Sequence, residues 1–276
     1  VPRTADGKPD FSGLWMRANS GPPPAARADG KGKGGDGKGK ANDKGKAAPA
    51  GGAATLEPPT TAFPYDPSGP PVATFFEAGA NMEGGLPYTQ WARDLRNKRF
   101  VELQARDNPD ANCLPMGFLQ FHQQPQPRRI MNVSNPKMLL IEYEANNGLR
   151  HIYMDGRKLP PQGEPQPWWY GYSVGHWEGD VLVVETRNVK PESAINGQPL
   201  SEDGVLIEKF TLSDANTLDY RMTVNDPKVY AGPWTVRLPI PREQNYGFYE
   251  YACHEGNVAM EHMLQAARAA EKKAGK

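Results

Sequence analysis

The second half of the chain is a series of short segments in which apolar and polar residues alternate. In residues 206–212 and 219–224, apolar side chains recur at every second position, which is the pattern of an antiparallel strand with one buried face. Turn residues separate such segments, among them an Asn-Gly pair at 147–148 that favours a hairpin. The pattern predicts roughly ten strands, at 13–17, 129–133, 138–144, 149–154, 172–178, 181–187, 206–212, 217–225, 234–240 and 247–252.

A series of hairpins that closes on itself forms a barrel, which is a container for a small molecule. Two segments instead have helical spacing, with apolar residues recurring every three to five positions in 87–106 and 257–273. The sequence therefore predicts a mainly β fold: an antiparallel up-and-down barrel or half-barrel, with one helix before and one after the barrel strands.

The first third of the chain contains two segments of unusual composition. Residues 20–55 are a Gly/Lys-rich low-complexity segment with nothing apolar to bury, which predicts a flexible, solvated insertion. Residues 56–87 are rich in proline and predict an extended strap over the domain surface. We expect residues 1–19, which contain the first strand, to form one domain together with residues 56–276.

Charge and hydropathy argue against nucleic acid and membranes as partners. Lysine and arginine together number 32, as do aspartate and glutamate, so the formal net charge is zero. This balance gives no electrostatic reason to expect binding to nucleic acid or to an anionic membrane. The sequence has no apolar run near the roughly 20 residues that a membrane-spanning helix needs, so we expect a chain that is not membrane-spanning.

Two features favour a periplasmic or secreted location. The chain begins at Val1 rather than at methionine, which would fit removal of a signal peptide. Its two cysteines, Cys113 and Cys253, fit a single disulfide in an oxidising compartment. Two buried thiols remain the alternative.

Several stretches resemble known proteins. Gly13-Leu14-Trp15 ahead of a run of hairpins resembles the start of lipocalin-like (calycin) barrels, in which a tryptophan of the first strand packs across the barrel floor. Longer stretches resemble a family of exported, uncharacterised bacterial proteins, from whose pattern the Gly/Lys-rich insertion departs. This resemblance implies export and a lipocalin-like fold, and it transfers no catalytic residue. The stretches are 6–15, 113–115, 152–157, 173–184 and 249–257.

The densest group of aromatic residues predicts a ligand-binding surface. Trp168, Trp169, Tyr172 and Trp177 lie within ten positions, and aromatic rings at a barrel mouth stack on flat or sugar-like ligands. Arg150 lies on a neighbouring predicted strand and is the polar candidate for the same site. The alternative is that these rings are part of the core.

Candidates for acid–base chemistry are His176, Tyr153 and Glu142. Imidazole titrates near neutral pH, although the sequence favours a hydrogen-bonded structural histidine at this position. The sequence lacks a Gly-x-Ser-x-Gly elbow, a Walker loop and a dinucleotide fingerprint, so we expect no cofactor. His254 and His262 are too far apart on a helix to bind one ion, and we expect no metal site.

Three functions remain open. The first is an exported lipocalin-like protein that binds a small aromatic or apolar molecule. The second is a cofactor-free lyase, hydratase or isomerase that works by acid–base chemistry inside the barrel, for which no linear motif would be expected. The third is an accessory subunit of an extracellular assembly, with a protein partner bound through residues 20–87 or 257–276.

Overall fold

The computed structural model shows a closed barrel of nine strands within the residues that it describes, which are 1–17, 69–71, 78–79, 82–99, 109, 114–115, 117, 119, 126–163, 167–191, 199–252 and 258–273. The predicted fold class is confirmed, with one helix before and one after the main run of strands. In chain order the strands are β1 Gly13–Trp15, β2 Arg128–Ser134, β3 Lys137–Tyr143, β4 Gly148–Tyr153, β5 Tyr172–Glu178, β6 Val181–Arg187, β7 Val205–Asp214, β8 Thr217–Asn225 and β9 Trp234–Glu243.

The two helices are α1, Gln90–Asn97, and α2, Ala259–Lys273. Thr89 begins α1, because its hydroxyl accepts a hydrogen bond from the backbone N–H of Ala92 at 3.3 Å. The helix was predicted over 87–106, and residues 100–106 lie outside the described part. Trp91 is one of the apolar residues whose spacing predicts this helix, but its side chain is 54% exposed and Ala92 is the buried residue.

One pair of neighbouring strands is parallel. Each strand is antiparallel to its neighbours except at the β4–β5 pair, where Ile152 and Tyr153 oppose Ser173 and Val174 in parallel register. A closed ring of nine strands must contain at least one parallel pair, because strand directions cannot alternate completely around an odd number of strands. The link between β4 and β5 therefore travels the length of the barrel instead of forming a hairpin.

The tenth predicted strand, at 247–252, is absent. These residues have no strand geometry, because β9 already pairs with both β8 and β1 and the closed sheet has no free edge. Glu144 holds this segment instead. Its carboxylate accepts hydrogen bonds from the Tyr246 hydroxyl and the Tyr249 backbone N–H, both at 2.9 Å.

The barrel has two ends. The end that carries the β2–β3 turn at 135–136 and the β5–β6 turn at 179–180 is called the upper end. The N-terminal segment, residues 1–11, covers it. The lower end carries the β3–β4 turn, a 3₁₀ turn at Ala145–Asn147. There the segment before α1 is attached through Tyr88, which pairs with Tyr230.

Alternation along the strands places the core inside the barrel. On β7, Leu206, Phe210 and Leu212 are buried, whereas Lys209 lies on the solvent side. The Gly/Lys-rich insertion at 20–55 lies outside the described residues, as does most of the predicted strap at 56–87. One described part of the strap contacts the barrel, where the Pro71 carbonyl accepts a hydrogen bond from the Arg237 backbone N–H at 3.0 Å.

Candidate functional site

A pocket of about 500 Å³ lies at the upper end of the barrel, between the N-terminal segment and the strand ends. This volume is in the range of small-molecule sites, roughly 300–1,000 Å³. The N-terminal segment forms one wall, and the ends of β2, β3, β4 and β5 form the others. We call this cavity the upper pocket; its lining residues are Thr4, Ala5, Asp6, Lys8, Pro9, Phe11, Asn132, Val133, Ser134, Lys137, Met138, Leu139, Met154 and Trp177.

The N-terminal segment is fixed over the pocket by contacts at both of its edges. Arg3 donates two hydrogen bonds to the Asp180 carboxylate on the β5–β6 turn, at 2.9 and 2.6 Å. On the opposite side, Asp6 pairs with Lys137 at 3.0 Å. A tight turn brings these groups into place, with Gly7 at a φ of 77° and the Thr4 N–H donating to the Lys8 carbonyl at 2.8 Å.

The inner side of the pocket is aromatic and apolar. Phe11 and Trp177 stack with ring centres 5.7 Å apart and an angle of 6° between the planes. Such a pair contributes roughly 0.5–1.5 kcal/mol beyond the burial of its surface. Met154 lies beside them, and Gly175 leaves room for it, because a Cβ there would be 2.5 Å from the Met154 sulfur.

The charged groups of the pocket belong to its rim. Hydrogen bonds from Thr4 and then Lys137 lower the pKa of Asp6 to about 2, so this carboxyl is ionised at neutral pH. The ammonium group of Lys8 lies 5.6 Å from the centre of the Trp177 ring and donates to the Gly179 carbonyl at 3.2 Å. The pocket thus combines an apolar interior with a charged entrance.

A column of aromatic rings leads from the pocket into the barrel. Phe11 contacts Phe210 edge-on at 6.1 Å, and Phe210 contacts Tyr220 in the same way at 5.0 Å. The Tyr220 hydroxyl then donates a hydrogen bond to Glu208 at 2.8 Å. The column separates the upper pocket from the polar groups deeper inside.

Those polar groups form a buried network around an ion pair. Arg150 donates to both carboxylate oxygens of Glu208, one of them at 2.8 Å. Arg150 and Glu208 side chains are 2% and 0% exposed. Ser173 and Thr186 accept from the same guanidinium group at 3.0 and 2.9 Å. Every group in this network has hydrogen-bond partners, as buried charges require.

The network keeps Arg150 and Tyr220 in their ordinary charge states. Burial by itself lowers the pKa of Arg150, but the attraction of Glu208 outweighs it, and the pKa is raised. Burial, and then the negative charge of Glu208, raise the pKa of Tyr220 well above its usual value. Arg150 therefore stays charged and Tyr220 neutral, which fits a structural ion pair more than an acid–base site.

A second buried guanidinium lies toward the lower end. Arg128 contacts the face of Tyr143, 5.7 Å from the ring centre, and burial lowers its pKa. Burial and then repulsion by Arg128 lower the pKa of Arg17 to about 10. With a pKa of about 10, Arg17 remains charged at neutral pH.

The predicted ligand-binding residues do not converge. Trp177 lines the upper pocket and Arg150 lies in the buried network. Trp168 and Tyr172 contact each other edge-on at 5.1 Å outside the pocket, with Trp168 41% exposed. Trp169 is also outside the pocket, where Lys190 covers its ring at 4.7 Å.

The structure does not bring the three candidate catalytic residues together either. His176 is 62% exposed and contacts Glu178 at 3.3 Å. Glu142 accepts a hydrogen bond from Arg129 at 2.8 Å. Tyr153 stacks on Tyr172 at 5.1 Å. Their positions in the strand alternation place all three on the outer surface of the barrel, so they do not form an acid–base site within it.

Sequence reasoning missed Glu208, Lys8 and Phe11. Glu208 carries a detectable signal, since it occupies an inward position of β7 between apolar residues. Lys8 and Phe11 carry none, because they belong to an irregular segment whose position depends on contacts with distant turns. Cys113 and Cys253 lie outside the described residues, so the disulfide stays a prediction.

Among the residues that the structure describes, no group of three or more His, Cys, Asp or Glu side chains is arranged to hold a metal ion. The helices in this part of the chain are also too short or too polar for any of them to cross a membrane. No protein-family model, curated protein or solved structure matches the chain.

Proposed function

We propose that this protein is an exported, lipocalin-like binding protein that holds a small aromatic or apolar molecule in the upper pocket. The observation that carries the proposal is a cavity of about 500 Å³ at the upper end of a closed barrel. Binding sites for small molecules are concave, mostly apolar and formed in advance, and they are common at barrel mouths.

The walls of the pocket support an apolar ligand. Phe11, Leu139, Met154 and Trp177 supply its inner surface. The indole and phenyl rings offer flat surfaces to an aromatic molecule, and a methionine side chain adapts to ligands of different shape.

The deeper interior supports the choice of the upper pocket as the site. Phe210 and Tyr220 close the barrel below Phe11, and beyond them the Arg150–Glu208 pair has its hydrogen-bond partners within the protein. A ligand there would have to displace the aromatic column and break a buried ion pair, which costs several kcal/mol. Binding at the upper pocket requires neither change.

Export is the part of the proposal that rests on sequence. Its support is the pair of cysteines, Cys113 and Cys253, and the resemblance to exported bacterial proteins. Two thiols that react with an alkylating reagent in the unfolded, unreduced protein from its native source would contradict it.

The binding experiment uses a neutral fluorescent probe, N-phenyl-1-naphthylamine, titrated into the full chain. We expect saturable binding to the native protein and at least a tenfold weaker affinity for Trp177→Ala, because the substitution removes an aromatic wall of the pocket. A second variant, Leu139→Trp, places a larger side chain at an inward position of the pocket wall and should also weaken binding. Far-UV circular dichroism and urea unfolding show whether each variant is folded.

Trp168→Ala is the matched control, since it removes a partly exposed tryptophan outside the pocket. It should bind the probe like the native protein. Equal losses for Trp168→Ala and Trp177→Ala, or a native chain that does not bind the probe, would show that the upper pocket is not a binding site.

A further inference from the structure

We infer that the ligand of the upper pocket is an amphipathic monoanion, with a flat apolar body and one anionic group that Lys8 binds at the rim. The inference rests on the proposed function, which it extends from an apolar molecule to a molecule of defined charge. It follows from the pairing of five charged groups: Asp6, Lys8 and Lys137, which line the pocket, and Arg3 and Asp180 beside it.

Four of these groups form two ion pairs. Lys137 lies 3.0 Å from Asp6, whose carboxylate also accepts a hydrogen bond from the Thr4 hydroxyl. Arg3 binds Asp180 through both carboxylate oxygens. Each of these carboxylates is therefore neutralised by a partner of its own, and neither pair contributes a net charge to the rim.

Lys8 is the fifth group, and it supplies the net positive charge. Its ammonium group donates to the Gly179 carbonyl at 3.2 Å, and within the described part of the chain no carboxylate lies within 4.0 Å of it. An ammonium group has three N–H donors, so it retains the capacity to bind an anionic oxygen. Its charge also attracts Asp180 at longer range, but that carboxylate is already bound by Arg3.

The positive charge of Lys8 lies beside the apolar wall of the pocket. The ammonium group lies 5.6 Å from the centre of the Trp177 ring, and both residues line the pocket. An apolar ligand that packs against Trp177 would bring a carboxylate or sulfonate on its outer edge close to Lys8. The apolar wall excludes water on one side, which strengthens the attraction over that of a fully solvated pair. A cationic group at that point of the ligand would be repelled.

The test compares two ligands of one shape, 2-naphthoate and 2-naphthamide, by displacement of N-phenyl-1-naphthylamine from the full chain at low salt. We expect 2-naphthoate to bind about fivefold more tightly than 2-naphthamide, a preference typical of a partly exposed charge pair. In Lys8→Met the preference should disappear, because 2-naphthoate loses affinity relative to 2-naphthamide. High salt should reduce the preference of the native protein.

Lys158→Met is the matched control, because Lys158 is exposed and does not line the pocket; this variant should keep the native preference. Equal binding of the two ligands by the native protein would overturn the inference and leave the proposed function standing. So would a preference that persists in Lys8→Met. If neither ligand displaces the probe, the inference and the proposed function both fail.

Discussion

Glu208 shows how one side chain organises the interior of the barrel. Its carboxylate accepts hydrogen bonds from Arg150, Thr186 and Tyr220, which belong to three different strands. These contacts require β4, β6, β7 and β8 to be in one register around the barrel. A charged residue at an inward strand position therefore restricts the arrangement of four strands.

We predict that Glu208→Ala lowers the free energy of unfolding by about 3–5 kcal/mol, because it leaves the Arg150 guanidinium buried without its counter-charge. Urea unfolding measures the change. Glu142→Ala is the control: it removes the glutamate of a more exposed ion pair with Arg129 and should cost less than about 1 kcal/mol.

The double variant Arg150→Met/Glu208→Leu separates the charge from the packing. Replacing both partners by apolar residues removes the uncompensated charge, so we expect most of the lost stability to return. Equal small losses for Glu208→Ala and Glu142→Ala would mean that the buried ion pair does not stabilise this barrel.

The start of β5 determines how the parallel pair is formed. Gly171 precedes Tyr172, the first residue of β5, with a φ of 67°, and its backbone lies against Thr186 and Val189. A Cβ at this position would be 2.6 Å from the Thr186 methyl carbon and 2.8 Å from the Arg187 carbonyl oxygen. Only glycine allows the chain to turn here this close to β6.

We predict that Gly171→Ala lowers the free energy of unfolding by about 2–4 kcal/mol, from a strained φ together with the steric conflict. Gly163→Ala is the matched control. Gly163 has a φ of 77°, but a Cβ there would meet no atom within 4 Å. Gly163→Ala should therefore lower the free energy of unfolding by only about 1–2 kcal/mol. Urea midpoints that are the same for the two variants would argue against a close approach at Gly171.

At the scale of the whole molecule, the barrel closes through a very short strand. Strand β1 has three residues, Gly13–Trp15, and it pairs with β2 on one side and β9 on the other. Trp15 supports this closure from inside. Its side chain is fully buried, its indole N–H donates to the Phe11 carbonyl at 2.8 Å, and the Arg242 guanidinium covers its ring at 4.2 Å.

We predict that Trp15→Ala lowers the free energy of unfolding by about 3–5 kcal/mol and opens the barrel locally at the β1 seam. Hydrogen exchange should then become faster in β2 and β9 before it does in β7 and β8. Trp91→Ala removes a tryptophan that is 54% exposed on α1 and should change the stability by no more than about 0.5 kcal/mol. Uniform exchange across all strands of Trp15→Ala would contradict local opening.

The amino-acid sequence by itself determined the strands and their turns. Alternation is a local property, because neighbouring side chains of a strand point to opposite faces, and it located nine of the ten predicted strands within a few residues of their observed bounds. Helix α2 was predictable for the same reason, from its own spacing of apolar residues. Trp177 was predicted to bind a ligand from the local density of aromatic rings, and it lines the upper pocket.

Tertiary structure decided everything that depends on closure of the sheet. Pairing of β1 with β9 left no edge for a strand at 247–252, and an odd number of strands required the parallel β4–β5 pair. Closure also placed His176, Tyr153 and Glu142 on the outer surface. The upper pocket depends on ion pairs between Arg3 and Asp180 and between Asp6 and Lys137, residues more than a hundred positions apart. No local pattern encodes such contacts, since they form only when the folded barrel brings distant turns together.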